Sequence, residues 1–470
     1  MWAVYFGVIE LQEGFPLTKR LKNMPPVRLI VSSFFAVILL GAVLLTLPIM
    51  SRRGNATSMI DALFTATSAT CVTGLVPFDS WTHWNGLGQV VILFLIQIGG
   101  LGVITFTTGF TLLSRRKLGL RELQLATENT AGNAMDIYHL VKIILTFTLS
   151  SELIGAAILA LRFVPKFGLH GIWISIFTAV SSYCNAGFDI LGFEKPDNSL
   201  IGYANDPLVC IPVALLIIVG GLGFIVISNI YFAKLSPLFH KKKPTSLNLH
   251  SSIVLRMTLI LLVIGTIGFL FFEWDNTLEG KNIFQKILTA FFQSTSARTA
   301  GFASVDIASE HDITKLFTVF LMFIGAAPAG TGGGVKVTTF VVLIATVISV
   351  MAGKEDTTLH HRRVEKGTVY RSLAIVTVAI LVVVCTTGVI LSTNAHPISA
   401  IDALFEATSA FGTVGLTAGL TPSLSAISKF VLCLTMFIGR VGPISLALAI
   451  AIKRAHNKGA VLPEGKIIVG

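Results

Sequence analysis

A short sequence that recurs four times at a nearly constant interval is the feature that most constrains the fold. The first copy, Asp61–Gly74, reads DALFTATSATCVTG, and the last, Asp402–Gly415, reads DALFEATSAFGTVG, with nine of fourteen positions identical. Two weaker copies, FTAVSSYCNAGF and FFQSTSARTAGF, lie between them. The glycines that end the four copies are Gly74, Gly187, Gly301 and Gly415, spaced 113, 114 and 114 residues apart. Such regularity predicts four equivalent structural units.

The composition places these units in a membrane. Of the 470 residues, 53% are hydrophobic and only 13% are charged, whereas soluble domains have about 25% charged residues. Seven apolar runs approach the roughly 20 residues that cross a bilayer, and an eighth is interrupted by PAGTGGG. The runs are Leu29–Ile49, Leu87–Leu113, Leu140–Leu161, Leu208–Phe232, Ile253–Phe272, Leu373–Leu391 and Phe430–Ile452, with Leu316–Met351 as the interrupted one. We therefore expect eight crossings.

Each unit has the same order of parts: an outer helix, a short re-entrant helix with its loop, and an inner helix. The inner runs share a second motif, which reads IGGLG, VGGLG, IGAAP and IGRVGP in the four units. The predicted fold class is therefore an all-α polytopic membrane protein with four pseudo-symmetric helix–pore-loop–helix repeats around one central pore. The predicted division is an N-terminal arm (1–26), repeats at 27–114, 139–234, 252–352 and 370–454, and a tail (455–470), with an outer insertion near Glu194–Asn205 in repeat 2.

The net charge of +11 is explained by loop bias and does not require a nucleic acid. Of the 35 basic residues, 23 fall in the arm, the linkers between repeats and the tail, and nine fall on the opposite side. The richer side is cytoplasmic by the positive-inside rule, so both termini are expected inside the cell. Acids such as Asp79, Asp189, Asp306 and Asp312 lie on the outer side. They either form a mouth that concentrates cations or belong to loops that are simply less basic.

The repeated sequence has the chemistry of an ion site. Asp61 and Asp402 are predicted N-caps, and the short helix after each covers only part of the bilayer, with the negative end of its dipole near the middle. The glycine then permits a turn that directs carbonyl oxygens to an axis, where rings of oxygens can replace a cation's hydration shell. One such turn alone would be an ordinary tight turn, but four favour a pore. The predicted ion-binding residues are Val72, Thr73, Gly74, Asn185, Ala186, Gly187, Thr299, Ala300, Gly301, Thr413, Val414 and Gly415.

These motifs resemble a known family. TVGL at Thr413 is similar to the potassium-channel filter, and the chain from about Pro25 resembles the Trk/Ktr/HKT superfamily, most of all the Ktr membrane subunits (KtrB/KtrD type). FGTVGLT, NAGF, RTAGF, MFIGR and the glycine-rich break carry the resemblance. It implies K⁺ uptake across the cell membrane, with K⁺ as the bound ion and no cofactor. Some plant members have serine at the position of Gly74 and prefer Na⁺. Only repeat 4 has the TVG sequence, which implies looser selectivity.

Two features of the inner runs are candidates for a gate. An arginine within a membrane helix is costly and should face protein or water, so Arg440 is either part of a structural ion pair or, as the resemblance implies, a residue below the filter that repels cations. Glycines, alanines and Pro328 break the third inner run at Gly325–Lys336, as a passive kink or, by resemblance, as an intramembrane gating loop. The predicted gating residues are Gly325, Pro328, Gly330, Thr331, Gly332, Gly333, Gly334, Lys336 and Arg440.

Two further charges lie within apolar surroundings. Glu152 is in the second outer run and Arg298 directly precedes Thr299. Buried charges of opposite sign favour pairing, so we expect either an ion pair between them or a bond from Glu152 to the end of a short helix. The five cysteines form no CxxC pair, and free buried thiols are expected.

The cytoplasmic linkers indicate partners. RRK at Arg115, KKK at Lys241 and HHRR at His360 could contact lipid head groups. The resemblance implies instead a ring of separate nucleotide-binding RCK subunits (KtrA/KtrC type), since the chain has no GxGxxG after a strand. It also implies a homodimer with one pore in each chain.

Two other transport functions stay open. A Na⁺ or Na⁺/K⁺ transporter of the same superfamily would share this architecture. A proton-coupled carrier would be favoured by inverted repeats, but these repeats are parallel, and few titratable groups lie in the spans. No HExxH or nucleophile motif indicates an enzyme.

Overall fold

The computed structural model describes residues 26–102, 134–235, 246–359, 362–394, 396–443 and 445–446. The predicted terminal arm, the tail and the basic clusters that begin at Arg115 and Lys241 lie outside these residues, as do 360 and 361 of the HHRR cluster.

Four long apolar helices are here called outer helices 1 to 4. They span Pro26–Thr46, Ala134–Phe167, Leu249–Phe272 and Lys366–Thr393. Within the described residues, these four alone are unbroken and both long and apolar enough to cross a membrane. Many of their large apolar side chains are exposed, including Leu40, Leu153 and Phe271, as is usual for helices that face lipid.

Four short helices carry the repeated sequence. Short helices 1 to 4 span Met59–Cys71, Leu169–Tyr183, Ile283–Ser296 and Ala400–Gly412. With 13 to 15 residues each, they are about 20 Å long and too short to cross the roughly 30 Å of a bilayer core. Their side chains are buried on most sides, so protein surrounds them.

The predicted N-caps Asp61 and Asp402 are wrong. Short helices 1 and 4 begin two residues earlier, after Ser58 and Ser399, so each aspartate is the third residue of its helix. Both side chains bind lysines of other helices instead, which gives a buried carboxylate a stronger partner than a backbone N–H.

The inner helices are shorter than the apolar runs predict. Inner helices 1 to 4 span Gly86–Leu101, Pro207–Gly221, Asp312–Phe323 and Ala426–Val441. The first and fourth are capped by Gly102 and Gly442, and the second is followed, after Leu222, by Gly223; these three glycines have φ values of +79°, +90° and +84°. Each of these glycines is the last of its IGGLG-type motif, and only glycine adopts such a φ without strain.

The second inner run, expected to be continuous, is bent, and the third is broken at its glycine-rich stretch, as the sequence predicts. The run Leu208–Phe232 bends by 97° between Gly221 and Phe224. The run Leu316–Met351 is helical only to Phe323 and again over Val337–Met351. Between them the chain is irregular, and the backbone amide of Gly325 donates to the carbonyl of Val335 over 2.8 Å.

The remaining described elements are small. They are the helices Ser80–His83 and Phe224–Ile230, a π-helix at Tyr231–Leu235, 3₁₀ turns at Pro48–Met50, Ile201–Tyr203, Ile307–Ser309 and Thr421–Ser423, and an antiparallel pair of two-residue strands, Thr358–Leu359 and Arg362–Arg363.

The hydrophobic core fills each repeat and also joins neighbouring repeats. One cluster joins repeat 1, with Ile96, to repeat 2, with Phe177. A second joins Phe64 of repeat 1 to Met436 of repeat 4, and a third joins Met322 of repeat 3 to residues of repeat 4 such as Val414. The first and last repeats are therefore neighbours, so the chain closes on itself.

Close backbone packing explains the first glycine of the inner motif. A β-carbon at Gly99, Gly220 or Gly439 would overlap a carbonyl oxygen near the carboxyl end of a short helix, that of Thr70, Tyr183 or Phe411 respectively. Small residues let helices approach each other in this way. The motif thus fixes the distance between each of these inner helices and the end of its short helix.

We expect Gly439→Ala to destabilise the folded protein by about 1–3 kcal/mol, because the added methyl group overlaps the carbonyl oxygen of Phe411. The thermal unfolding temperature of the purified protein in detergent measures this effect. Gly388→Ala is the matched control: Gly388 lies in outer helix 4, and a β-carbon there would meet no heavy atom within 4 Å. Equal unfolding temperatures for the two variants would contradict the prediction.

Candidate functional site

The four glycine turns, Val72–Gly74, Asn185–Gly187, Thr299–Gly301 and Thr413–Gly415, share one backbone conformation. The first residue of each has a positive φ, at +57°, +60°, +74° and +50°. The closing glycines also have positive φ, from +70° to +99°. Positive φ is uncommon outside glycine and is unfavourable for the β-branched Val72, Thr299 and Thr413. Its presence in all four turns indicates that the surrounding structure imposes this conformation.

The amides of the turns are bonded to the short helices behind them. The amides of Thr73, Ala186 and Val414 donate to the carbonyls of Ser68, Ser181 and Ser409 over 2.8, 2.7 and 2.8 Å. The amides of Gly74 and Gly415 donate to the hydroxyls of Ser68 and Ser409, each over 3.0 Å. In a trans peptide the C=O points away from the N–H. The carbonyl oxygens of these peptides therefore face away from the helices.

The four turns meet in a closed ring. A β-carbon at Gly74 would lie 2.5 Å from the carbonyl oxygen of Ala186, and one at Gly187 would lie 2.6 Å from that of Ala300. Gly301 contacts the oxygen of Val414 in the same way, and Gly415 that of Thr73. The order is therefore 1, 2, 3, 4 and back to 1. All twelve residues predicted from the sequence to bind the ion belong to this ring.

The polar atoms that the ring presents are mainly peptide carbonyl oxygens. Thr73, Ala186, Ala300 and Val414 are fully buried, and the described residues contain no cluster of His, Cys, Asp or Glu that could hold a metal ion. The side chains of Asn185 and Thr299 lie within hydrogen-bonding distance of each other, at 3.2 Å, and so join turns 2 and 3. Oxygen dipoles without a full negative charge suit a monovalent cation that sheds its water.

A cavity of about 220 Å³ lies against the four glycines on one side of the ring. Asp79, Asp189, Asp197 and Asp306 line it. Three of these aspartates belong to the acidic mouth considered in the sequence analysis, whereas Asp312 lies in the first turn of inner helix 3. A cavity with walls of one charge sign raises the local concentration of cations.

The glycine-rich break, Gly325–Lys336, packs against the turns. The amide of Gly333 donates to the hydroxyl of Thr413 over 3.0 Å, and a β-carbon at Gly332 would overlap the hydroxyl of Thr299. The amide of Gly334 donates to the carbonyl of Gly439 over 3.2 Å, and that of Ala327 to Gly221 over 3.1 Å. The break therefore touches two glycine turns and two inner helices.

Arg440 joins three parts of this region. Its guanidinium donates to the carbonyl of Thr331 in the break and to that of Gly99 in inner helix 1. Within the described residues it forms no ion pair, so the structural pair considered for it is not observed. Lys336 donates to the carbonyl of Gly332 over 2.6 Å. Two basic side chains therefore lie where the break meets the inner helices.

The predicted pair of Glu152 with Arg298 is wrong. Glu152 accepts from Gln97 Nε2 over 3.0 Å and contacts Cys184 Sγ at 3.9 Å. Within the described part of the chain, the hydrogen-bond partner of Arg298 is Thr258, with two distances of 3.5 Å. The short helices keep the two charges apart, because Glu152 lies at the end of short helix 2 and Arg298 at the end of short helix 3.

Two sets of polar residues were missed in the sequence analysis. Ser68 and Ser409 support the turns by accepting from glycine amides, and their presence in both DALF copies was a usable signal. The second set is a pair of salt bridges, the buried Lys429–Asp61 and the partly buried Lys315–Asp402, each 2.8 Å long. No local pattern indicates these pairs, whose members are 368 and 87 residues apart.

The salt bridges connect consecutive repeats. Each lysine is the fourth residue of its inner helix, and each aspartate is the third residue of the next short helix in the ring. Inner helix 1 has Gln89 at its fourth position, and Gln89 accepts from Trp173 Nε1 of short helix 2 over 2.9 Å. A positively charged lysine near a helix N-terminus is repelled by the positive end of the helix dipole. The two lysines therefore do not stabilise their own helices, and their role is to form the salt bridges.

The chain is similar to cation transport proteins. A family model described as TrkH, cation transport protein, matches residues 16–459. The Ktr system potassium uptake protein B of Bacillus subtilis is 37% identical over 95% of this chain and 97% of that protein. The potassium/sodium uptake protein NtpJ of Enterococcus hirae is 40% identical over 96% and 98% of the two chains.

A solved structure has the same fold. The crystal structure of the potassium transporter TrkH from Vibrio parahaemolyticus matches with a TM-score of 0.69 and 16% identity, over 90% of this chain and 84% of that one. The predicted fold class, an all-α polytopic membrane protein, is confirmed by this match.

We expect Lys429→Met to destabilise the protein by about 3–5 kcal/mol, because it leaves the Asp61 carboxylate buried without its partner. The double variant Lys429→Met/Asp61→Leu should recover most of the loss, and thermal unfolding in detergent measures both. Arg162→Gln is the control: it removes an exposed bridge to Asp206 and should cost no more than about 1 kcal/mol. A double variant no more stable than the single one would count against a role for the bridge.

Proposed function

The chain belongs to the TrkH cation transport protein family, a family of transporters and not of enzymes, and on this premise we propose that it takes up K⁺ through a channel-like pore at the four glycine turns. The observation that carries the proposal is the closed ring of turns whose amides are bonded to the short helices. Removing a bare cation from water costs tens of kcal/mol, and stacked rings of four peptide oxygens offset that cost. The names of the relatives, which specify potassium uptake, support K⁺ as the ion.

The proposed path begins at the acidic cavity. Its four aspartates concentrate cations outside the ring of glycines, and the carboxyl ends of the short helices stabilise a cation beyond it. In this orientation the cavity faces the outside of the plasma membrane, and both termini are cytoplasmic, as the bias of basic residues indicates. The path passes through one chain, since the ring is complete within it.

The glycine-rich break and Arg440 are proposed to gate this path. The break lies directly against Thr299 and Thr413, so an ion leaving the ring meets it first. The Arg440 guanidinium, bonded to the break and to inner helix 1, repels a cation while it stays in place. Opening then requires the break to leave the turns and Arg440 to release its two carbonyls.

We further propose that the chain works as a homodimer on a cytoplasmic ring of RCK-type subunits (KtrA/KtrC type), which bind the regulatory nucleotide. The relatives' name "Ktr system" supports a multi-subunit assembly. The paired strands Thr358–Leu359 and Arg362–Arg363 follow the helix Val337–Met351, which begins where the break ends, so a subunit bound there is placed to move the break.

Transport of Na⁺ together with K⁺ is the second candidate. It is favoured by the similarity to the potassium/sodium uptake protein NtpJ and by the different sequences of the four turns. Turn 2 contributes Asn185 and Ala186 where turn 4 has Thr413 and Val414. Four turns with different sequences hold their carbonyl oxygens in less uniform positions than four identical turns would.

Complementation tests the function directly. A bacterium deficient in K⁺ uptake is transformed with this chain, with and without an RCK partner, and its growth is followed at low K⁺. Growth at low K⁺ with the partner is expected. Failure to grow, with the chain demonstrably in the membrane, would refute K⁺ uptake, and growth accompanied by accumulation of Na⁺ would favour the second candidate.

We expect Gly74→Ser to lower the ratio of K⁺ to Na⁺ transport. Gly74 has φ +99° and touches both neighbouring turns, so a side chain there displaces oxygens and weakens the discrimination between ions. Initial rates of ⁸⁶Rb⁺ and ²²Na⁺ uptake in the complemented strain measure the ratio. Gly54→Ser is the matched control, since Gly54 also has positive φ, at +70°, but a β-carbon there meets no atom within 4 Å. An unchanged ratio in Gly74→Ser would refute a filter at this position.

We expect Arg440→Ala to raise the rate of K⁺ flux, because it removes a positive charge and two bonds that hold the break. Flux into liposomes that contain the purified protein measures the effect. Arg440→Lys keeps the charge but cannot donate to both carbonyls in the same geometry. If Arg440→Lys has a flux near that of the wild type, the positive charge is the barrier to K⁺. If folded Arg440→Ala has a flux equal to or lower than that of the wild type, the proposed gating role of Arg440 is contradicted.

A further inference from the structure

Glu152 and Arg298 are two buried charges for which the proposed gate gives no role. Their side chains are 6% and 9% exposed, and neither forms an ion pair within the described part of the chain. Charged residues at membrane depth are costly and are usually retained for function. Their places in the fold are related, because each lies at the carboxyl end of a short helix.

Glu152 lies at the end of short helix 2. That helix ends at Tyr183, and the next residue, Cys184, caps it and precedes turn 2. Glu152 contacts the Cys184 thiol, and one helical turn earlier Thr148 donates to the Tyr183 hydroxyl over 3.0 Å. A carboxylate adds to the negative end of a helix dipole, which is unfavourable for the helix. The position of Glu152 is therefore not explained by helix stability.

Arg298 places a positive charge at the end of short helix 3, opposite in sign to the charge of Glu152. That helix ends at Ser296, Ala297 caps it, and Arg298 follows directly before turn 3. Its guanidinium and Thr295, in the last turn of the helix, line one small cavity. Its Nε has no hydrogen-bond partner within the described residues, and its two contacts to Thr258 are long. A cation here cancels part of the negative end of the dipole.

The two charged sites lie behind adjacent, linked turns. Turns 2 and 3 are neighbours in the ring, and their first residues, Asn185 and Thr299, are joined side chain to side chain. An ionised Glu152 makes its helix end more negative, and Arg298 makes its helix end less negative. An ion at the inner end of the ring therefore experiences an uneven field.

We propose that Glu152 and Arg298 are positioning residues that set the affinity of the pore for its cation through opposite electrostatic effects at neighbouring helix ends. Glu152 strengthens cation binding at the inner end of the ring, and Arg298 weakens it. Together they keep the site strong enough to accept an ion and weak enough to release it. This inference rests on the proposed uptake of K⁺.

The test uses Glu152→Gln and Arg298→Gln, which remove each charge but keep a group that can bond to Gln97 or Thr258. Initial uptake rates in the complemented strain give the K⁺ concentration for half-maximal transport. We expect that concentration to rise about three- to tenfold in Glu152→Gln and to fall by a similar factor in Arg298→Gln. A purely structural role would shift both variants in the same direction.

Matched variants separate charge from packing. Glu152→Asp and Arg298→Lys keep the charges and should stay near the wild-type value. Arg162→Gln and Glu279→Gln remove exposed charges at the outer face and should do the same. A variant that does not transport is tested by a second measurement, the K⁺ concentration that gives half-maximal protection of the purified protein from thermal unfolding. This concentration should rise in Glu152→Gln and fall in Arg298→Gln.

The outcomes distinguish this inference from the proposed function. If wild-type protein neither takes up K⁺ nor is protected by it, the proposed function fails. If the wild type does both but the two variants keep its half-maximal concentration, or shift it in the same direction, the proposed function stands and the roles of Glu152 and Arg298 are refuted.

Discussion

Every peptide group at membrane depth needs a partner, and in this protein that requirement organises the structure around the four glycine turns. A non-helical peptide cannot face lipid, so the turns are enclosed by the short helices, the inner helices and the glycine-rich break. Their amides are bonded to Ser68, Ser181 and Ser409, which leaves carbonyl oxygens free on the opposite side. A cation is the natural partner for such oxygens. The same bonds that stabilise the turns therefore create the site.

The glycines outside the turns serve this arrangement. Gly99, Gly220 and Gly439 let the inner helices touch carbonyl oxygens near the ends of the short helices, and Gly102, Gly223 and Gly442 follow at or just after the ends of these inner helices. In repeat 3 the motif has Ala326, Ala327 and Pro328 instead, and the chain leaves the helix to form the break. One repeat has thus changed a packing motif into a segment that lies against the ring, and this segment is the proposed gate.

Charge breaks the equivalence of the four repeats. Salt bridges join repeat 3 to repeat 4 and repeat 4 to repeat 1, whereas the link from repeat 1 to repeat 2 is a neutral hydrogen bond. Glu152, Arg298, Arg440 and Lys336 each occur in only one repeat. Equivalent backbone geometry therefore carries an uneven set of side chains. The proposed pore therefore combines a regular backbone with side chains that differ from one repeat to the next.

The sequence by itself determined the membrane class, the four-part order and the twelve residues of the ring, because a period of about 114 residues and the length of apolar runs are properties of the chain alone. Tertiary structure decided what depends on contacts between distant segments. Asp61 and Asp402 have the pattern of N-caps, but lysines 368 and 87 residues away bind them. Glu152 and Arg298 have the pattern of a pair, but two helix ends hold them apart. A buried charge takes the partner that folding brings nearest, and local sequence does not specify that distance.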